Sequence, residues 1–184
     1  NIIDDYCALL AAVELTKTLG PEWLGEARDR AGKLCARQRP HPELGHYWAA
    51  NDDGSRPYYH AAEAGLPVLA LLEYVGIEPD PARKAAVQTV VEQALAAELA
   101  LCARAGNPFA LARQYVKGVD EAPRVSFFMP HHNESGYWWQ GENARLASLA
   151  AMAFAAAAQL PHQRRLLRTF GQHQLDWILG QNPF

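Results

Sequence analysis

Apolar residues recur along the chain at helical spacing. Tyr6, Leu9, Leu10 and Val13 follow the i, i+3, i+4, i+7 pattern that lines one face of a helix, and predict a first helix over roughly 3–18. Leu24, Ala27, Ala31, Leu34 and Cys35 predict a second over roughly 21–37. The third spans about 58–75 and is almost wholly apolar after Leu66, with Pro67 either kinking it or opening its main turn. Val87, Val90, Val91 and Ala94 predict a fourth over about 80–105, and Leu146, Leu149, Ala150 and Ala153 a fifth over about 142–159. The sixth, about 162–180, carries Leu167, Phe170, Trp177 and Ile178, and Gly180 suits its C-terminal stop.

Two alternations organise these segments. Segments one, three and five are apolar nearly all round and rich in Ala, as buried helices are. Segments two, four and six each carry a charged face: Glu22, Glu26, Asp29, Arg30 and Lys33; Arg83, Lys84, Gln88 and Glu92; Arg164, Arg165 and Arg168. Connection length alternates as well. Short links with a proline occur at Gly20-Pro21, Pro79-Asp80-Pro81 and Leu160-Pro161, whereas about 20 residues follow Arg37 and about 36 follow Ala105. Three helical hairpins with inner and outer members, and every long loop at one end, make an all-α layout. It is that of an (α/α)6 toroid with about half of the barrel present across 1–184. An ordinary helical bundle is the alternative.

Composition narrows the chemistry. Seventeen basic against twenty acidic side chains, a net charge of -3, argue against nucleic acid or an anionic membrane as main partner. No stretch approaches 18 apolar residues uninterrupted by charge, so no membrane span is expected, and no signal peptide is visible. The chain opens at Asn1 and stops at Phe184, and both ends are expected to be cuts. Cys7, Cys35 and Cys102 are expected as buried free thiols rather than a disulfide framework.

Long loops inside a compact domain are either functional or disordered, and disordered segments are poor in aromatics. Residues 45–60 and 126–143 instead hold Tyr47, Trp48, Tyr58, Tyr59, Phe127, Phe128, Tyr137, Trp138 and Trp139. Aromatic faces beside polar side chains suit a sugar, whose C–H face packs on a ring while its hydroxyls need fixed donors and acceptors. In the second loop, His131, His132, Asn133, Glu134, Gln140, Glu142 and Asn143 supply polar groups and Trp138 and Trp139 a platform. The structural alternative has the tryptophans closing the hydrophobic end of the helices and the polar groups pinning the loop. Glu134 and Glu142 are the only internal carboxylate pair to consider for glycosidic cleavage, which needs an acid and a base about 6.5–9.5 Å apart for inversion. Adjacent His131 and His132 lack the helical spacing of a zinc site, and no metal or cofactor is called for. Asn51-Asp52-Asp53-Gly54-Ser55 reads as an ordinary turn rather than a calcium loop, lacking the distal Glu. Asp4 and Asp5 suit the start of a helix.

The runs Asp4-Asp5-Tyr6-Cys7-Ala8, Tyr59-His60-Ala61-Ala62-Glu63-Ala64-Gly65-Leu66-Pro67, PHHNESGYWWQGENARLASLA (130–150) and DWILGQNPF (176–184) resemble glycoside hydrolase family 9. They are most similar to its bacterial branch of exo-glucosaminidases and cellulase-like enzymes. The resemblance implies an (α/α)6 barrel that hydrolyses β-1,4-linked glucosidic or glucosaminidic bonds with inversion. It also implies a cleft wall of Tyr59, His60, His131, His132, Tyr137, Trp138, Trp139, Glu142 and Asn143, facing an oligosaccharide. The family's Asp-Ala-Gly-Asp motif, which holds the water-activating aspartates, does not occur here. Its proton-donating Glu follows the Asn-Pro-Phe motif. Neither catalytic carboxylate is therefore expected within these residues, and the chain alone is expected to be inactive. It is also expected to self-associate or to pair with the remainder of a domain, because half a toroid leaves apolar flanks uncovered. The rival readings are a non-catalytic carbohydrate-binding or scaffold domain and another αα-toroid sugar enzyme, an epimerase or lyase using the histidines as acid and base.

Overall fold

The computed structural model describes residues 1–103, 106–118, 120–127, 131–133, 136–138 and 141–181, with 131–133 and 136–138 described through their backbone. Six α-helices and three two-stranded antiparallel hairpins make up this part. In chain order they are α1 (Ile2–Thr18), α2 (Leu24–Cys35), β1 (Gln38–His41), β2 (Gly45–Trp48), α3 (Leu66–Ile77), α4 (Pro81–Ala103), β3 (Gln114–Val116), β4 (Arg124–Ser126), β5 (His131–Asn133), β6 (Gly136–Trp138), α5 (Glu142–Gln159) and α6 (Arg164–Ile178). The protein is mostly α, as the periodicity predicts.

Local chemistry sets several of the boundaries. The Asn1 side chain accepts from the backbone N–H of Ile3 and Asp4, and Asp4 reaches back to the Asn1 amino group, a capping box that starts α1. Asp5, one residue on, is buried and ion-paired with Arg37 at 2.6 Å, so it ties α1 to the end of α2 rather than capping. The Asp80 carboxylate accepts from Ala82 N–H at 2.8 Å where α4 begins. The short link before it is anchored by Glu78, whose buried carboxylate takes a two-pronged bond from Arg28 of α2 at 2.7 and 2.8 Å and a further bond from the Tyr74 hydroxyl. These contacts, the Arg28 fork first, hold the Glu78 carboxyl at about 2, well below its ordinary value.

Each short link joins two packed helices: α1 on α2, α3 on α4, and α5 on α6. The first members also meet each other, with α3 in contact with both α1 and α5. Accordingly α3 is the most enclosed, with Val68, Ala70, Leu71, Leu72 and Tyr74 all buried. The expectation that all three first members are buried all round is corrected for α1 and α5. Ile3, Cys7 and Ala11 on α1, and Ala144, Ala147 and Ala151 on α5, are exposed. Each of these helices buries the face turned to α3 and to its own hairpin partner, and the opposite flank meets water. Cys7 therefore departs from the expected buried thiol, while Cys35 and Cys102 are partly buried and burial pushes them up to about 11 and about 12.

Two further expectations change. The third helix begins at Leu66 rather than near 58, with Pro67 in its first turn, so the proline opens the helix instead of kinking it. Residues 61–65 before it form turns, in which His60 Nδ1 accepts from the N–H of Ala62 and Glu63 at 3.1 Å each. The long connectors are not irregular loops either, for they carry the hairpins β1–β2, β3–β4 and β5–β6. In addition, α4 is by length and composition long and apolar enough to cross a membrane, although no continuous apolar run signals it. One face of it, with Val87, Val91 and Leu95, belongs to the common core.

Candidate functional site

The first connector is built up from Arg37. Its guanidinium binds Asp5 and Asp52, each at 2.6 Å, and fixes the turn after β2 against the start of α1. Within that turn Asp53 accepts from Ser55 N–H at 2.8 Å and Asn51 from Arg56 N–H at 3.1 Å. The carboxylates are thus engaged in a polar turn, as the composition of the segment suggests. The chain then returns beside β2, with Ala49 bridged to Pro57 and Tyr58 N–H donating to Trp48 carbonyl at 2.6 Å. This path delivers Tyr58, Tyr59 and His60 in succession to one place.

There the second connector arrives. Tyr115 of β3 meets Tyr47 and His41 edge-on, with ring centroids 5.4 and 5.0 Å apart. The Tyr59 hydroxyl donates to the Lys117 carbonyl at 2.8 Å. A groove of about 510 Å³ opens between the start of α1, the first connector and Lys117, lined by Asn51, Ser55, Arg56, Tyr58, Tyr59 and His60 among others. Its wall is rigid. The rings of Tyr58 and His60 stack 6.3 Å apart, and Arg56 lies 5.8 Å from the Tyr59 centroid. Tyr58 donates to the Glu63 carbonyl at 3.1 Å, and the Tyr6 hydroxyl to the Glu63 carboxylate. Burial pushes both phenols far above their ordinary range, so they act as neutral hydroxyls.

Of the residues singled out from sequence, Tyr59 and His60 share this groove. Glu142 does not line it. It faces a separate depression of about 410 Å³ with Phe109, Leu111, Phe127 and Trp177. Its carboxylate is gripped by Arg145 of the next turn, at 2.5 and 3.0 Å, which makes it an ion-pair partner of a buried guanidinium. Asn143 is exposed in the first turn of α5. His131, His132 and Asn133 form β5 and pair in register with Trp138, Tyr137 and Gly136 of β6, and their side chains lie outside the described residues. Glu134 and Trp139 lie outside them altogether. No group of three or more His, Cys, Asp or Glu side chains suited to a metal ion occurs among the described residues.

The sequence reading missed a second polar centre beneath the groove. Glu98 of α4, Arg113 and Arg145 line a smaller cavity of about 70 Å³ between α3, α4 and α5, roofed by β2 and β3. Burial pushes the Glu98 carboxyl up to about 7, against the pull of Arg145. A signal for it existed, because Leu95, Glu98, Leu99 and Cys102 share the i, i+3, i+4, i+7 spacing that marks an inward face.

No family model matches the chain, and no curated protein matches it.

Proposed function

We propose that this chain is the sugar-binding part of an (α/α)6-barrel glycoside hydrolase similar to family 9, acting on β-1,4-linked glucosidic or glucosaminidic oligosaccharides. The observation that carries the reading is the meeting of the two aromatic-rich connectors at Tyr59 and Lys117, beside the groove walled by Tyr58, Tyr59 and His60. At about 510 Å³ that groove falls in the size range of small-molecule sites. Its partly exposed Tyr58–His60 stack offers a ring surface for sugar C–H groups, with Asn51, Ser55, Arg56 and Lys117 as polar neighbours. The contacts of α1 with α3 and of α3 with α5, each backed by its hairpin partner, are also those of consecutive hairpins in such a barrel.

The reading assigns this chain binding rather than turnover. No Asp-Ala-Gly-Asp motif occurs in it, and Glu142 is held by Arg145. The same two observations favour a non-catalytic carbohydrate-binding domain as the second reading, with the same groove as its site. Isothermal titration with cellotetraose and with the chitosan tetramer tests the shared claim. We expect saturable binding of one of them, weakened about tenfold or more by His60→Ala, with no release of reducing ends. Absence of binding by either at millimolar concentration would overturn the proposal, and turnover would overturn the assignment of binding alone.

A further inference from the structure

The polar lining of the groove is unbalanced, both in charge and in hydrogen-bonding sense. Among the described residues that line it, the charged side chains are Arg56 and Lys117, with no Asp or Glu beside them. The carboxylates closest along the chain are engaged or placed elsewhere. Asp52 pairs with Arg37, Asp53 accepts from Ser55 N–H, and Asp120, three residues beyond Lys117, is exposed outside the lining. Lys117 is half-buried, and its bond with Tyr59 uses the backbone carbonyl, so no ion pair among the described residues offsets its ammonium. The oxygen acceptors of the lining are already in use. The Asn51 side chain accepts from Arg56 N–H at 3.1 Å, Ser55 Oγ from the Asn51 amide at 3.0 Å, and the Ala50 carbonyl from Ile2 N–H at 3.0 Å. Donors predominate instead. His60 Nδ1 accepts from Ala62 and Glu63 N–H, which places the ring proton on Nε2, and Lys117 brings three ammonium protons.

We infer that the groove selects against amine-bearing sugars and that Lys117 sets this preference, so that its oligosaccharide is glucosidic rather than glucosaminidic. The inference rests on the reading of the groove as an oligosaccharide site and narrows it to one of two sugar classes. A protonated sugar amine is a donor with no lone pair to offer. It finds the acceptors of the lining taken and meets the charge of Lys117 in a groove partly closed to water, where like charges repel more strongly than in bulk solvent. Every ring of a chitosan oligosaccharide carries such an amine, so no shift of register along the groove removes it. A glucose hydroxyl at the same carbon accepts as readily as it donates and takes a bond from the lysine. A carboxylate accepts as well and carries the opposite charge, so an acidic sugar unit strengthens binding further. The lining thus ranks ligands by charge: acidic first, neutral second, amine-bearing last.

Isothermal titration of the full chain with three ligands tests the ranking, in mildly acidic buffer that keeps the sugar amines protonated. The ligands are cellotetraose, its C1-oxidised acid cellotetraonate, and the chitosan tetramer. We expect cellotetraonate to bind at least as tightly as cellotetraose, and the chitosan tetramer about tenfold or more weaker than cellotetraose. Added salt should raise the affinity for the chitosan tetramer, because it screens the repulsion. Lys117→Gln removes the charge and leaves the carbonyl that Tyr59 bonds. It should improve binding of the chitosan tetramer, weaken binding of the acid and close the gap between them several-fold. A purely structural role of Lys117 would weaken all three ligands alike. Binding of the chitosan tetramer as tight as that of cellotetraose would overturn the inference, as would ratios unchanged by Lys117→Gln, and both results leave the sugar-binding reading standing. Binding of none of the three overturns that reading and this inference with it.

Discussion

The Tyr59 hydroxyl donates to the Lys117 carbonyl at 2.8 Å, joining two connectors whose bonded residues lie 58 positions apart in the chain. Tyr59 is only 8% exposed and lines both the groove and the smaller cavity. Its hydroxyl bond adds to the packing of Tyr115 on Tyr47 and His41 in holding the connectors together.

Tyr59→Phe removes that bond while keeping the ring. We expect a loss of about 1 kcal/mol in urea unfolding and an affinity for oligosaccharide reduced several-fold, because Lys117 is released from the groove's edge. Tyr59→Ala should cost about 3–5 kcal/mol, the range for losing a large buried aromatic. Equal stability of the wild type and the Phe variant would show that the connectors are held together elsewhere.

Glu78 sets an acid limit. Its carboxyl is held at about 2 in the folded chain against an ordinary value of 4.5. Its contribution is therefore complete above about 4.5 and is lost as pH falls toward 2. Glu78→Gln should lower the melting temperature at pH 7 by roughly 5 °C, on the scale where 1 kcal/mol moves a domain of this size by about 2–4 °C. The difference from wild type should shrink as the pH is lowered through that window. A difference constant from pH 7 to pH 2 would refute the assignment.

Glu98 acts in the opposite direction. The folded chain keeps its proton up to about 7, whereas an unfolded carboxyl releases it near 4.5. Stability should fall as pH rises between these values and level off above them, by an amount on the order of 3 kcal/mol. Arg113, Arg145, His46, Gln114 and Tyr115 also line the cavity, and none of them changes in a Glu98→Gln variant. That variant should lose this slope and be the more stable protein at pH 8. Parallel stability curves for the two proteins from pH 4 to pH 8 would contradict the prediction.

Gly141 caps α5 with φ +88, and a Cβ placed there would lie about 2.5 Å from the Ala61 carbonyl oxygen. Gly141→Ala therefore meets both a left-handed backbone and a close approach to the segment carrying His60. We expect a loss of about 1–3 kcal/mol together with weaker oligosaccharide binding, measured by denaturation and calorimetry. Gly25→Ala, with nothing within 4 Å of the added carbon, is the control and should leave binding unchanged.

The parts legible from the sequence share a physical origin. The existence of the helices, the start of α5 at Glu142 and the two-member grouping follow from periodicity, caps and prolines, which act over a few residues, whereas Pro67 allowed either a kink or the opening of α3 and the structure chose the second. Tyr59 and His60 could be picked out because aromatics crowd a connector. The β-hairpins could not, since strands of three or four residues leave too short a pattern to distinguish from a loop.

By itself, then, the amino-acid order determined which segments coil into helices, how they couple in neighbouring pairs and where the long aromatic connectors fall. Tertiary packing alone decided which distant side chains share an interior: Tyr59 with Lys117, Arg28 with Glu78, and Glu98 with Arg113 around one cavity. The reason is that helix formation is governed by contacts three and four residues apart, whereas burial of a carboxyl beneath another connector depends on how whole helices dock. Glu142 shows the same division. Its place at the start of a helix could be read locally, and its engagement by Arg145, itself buried by the packing of α5, could not.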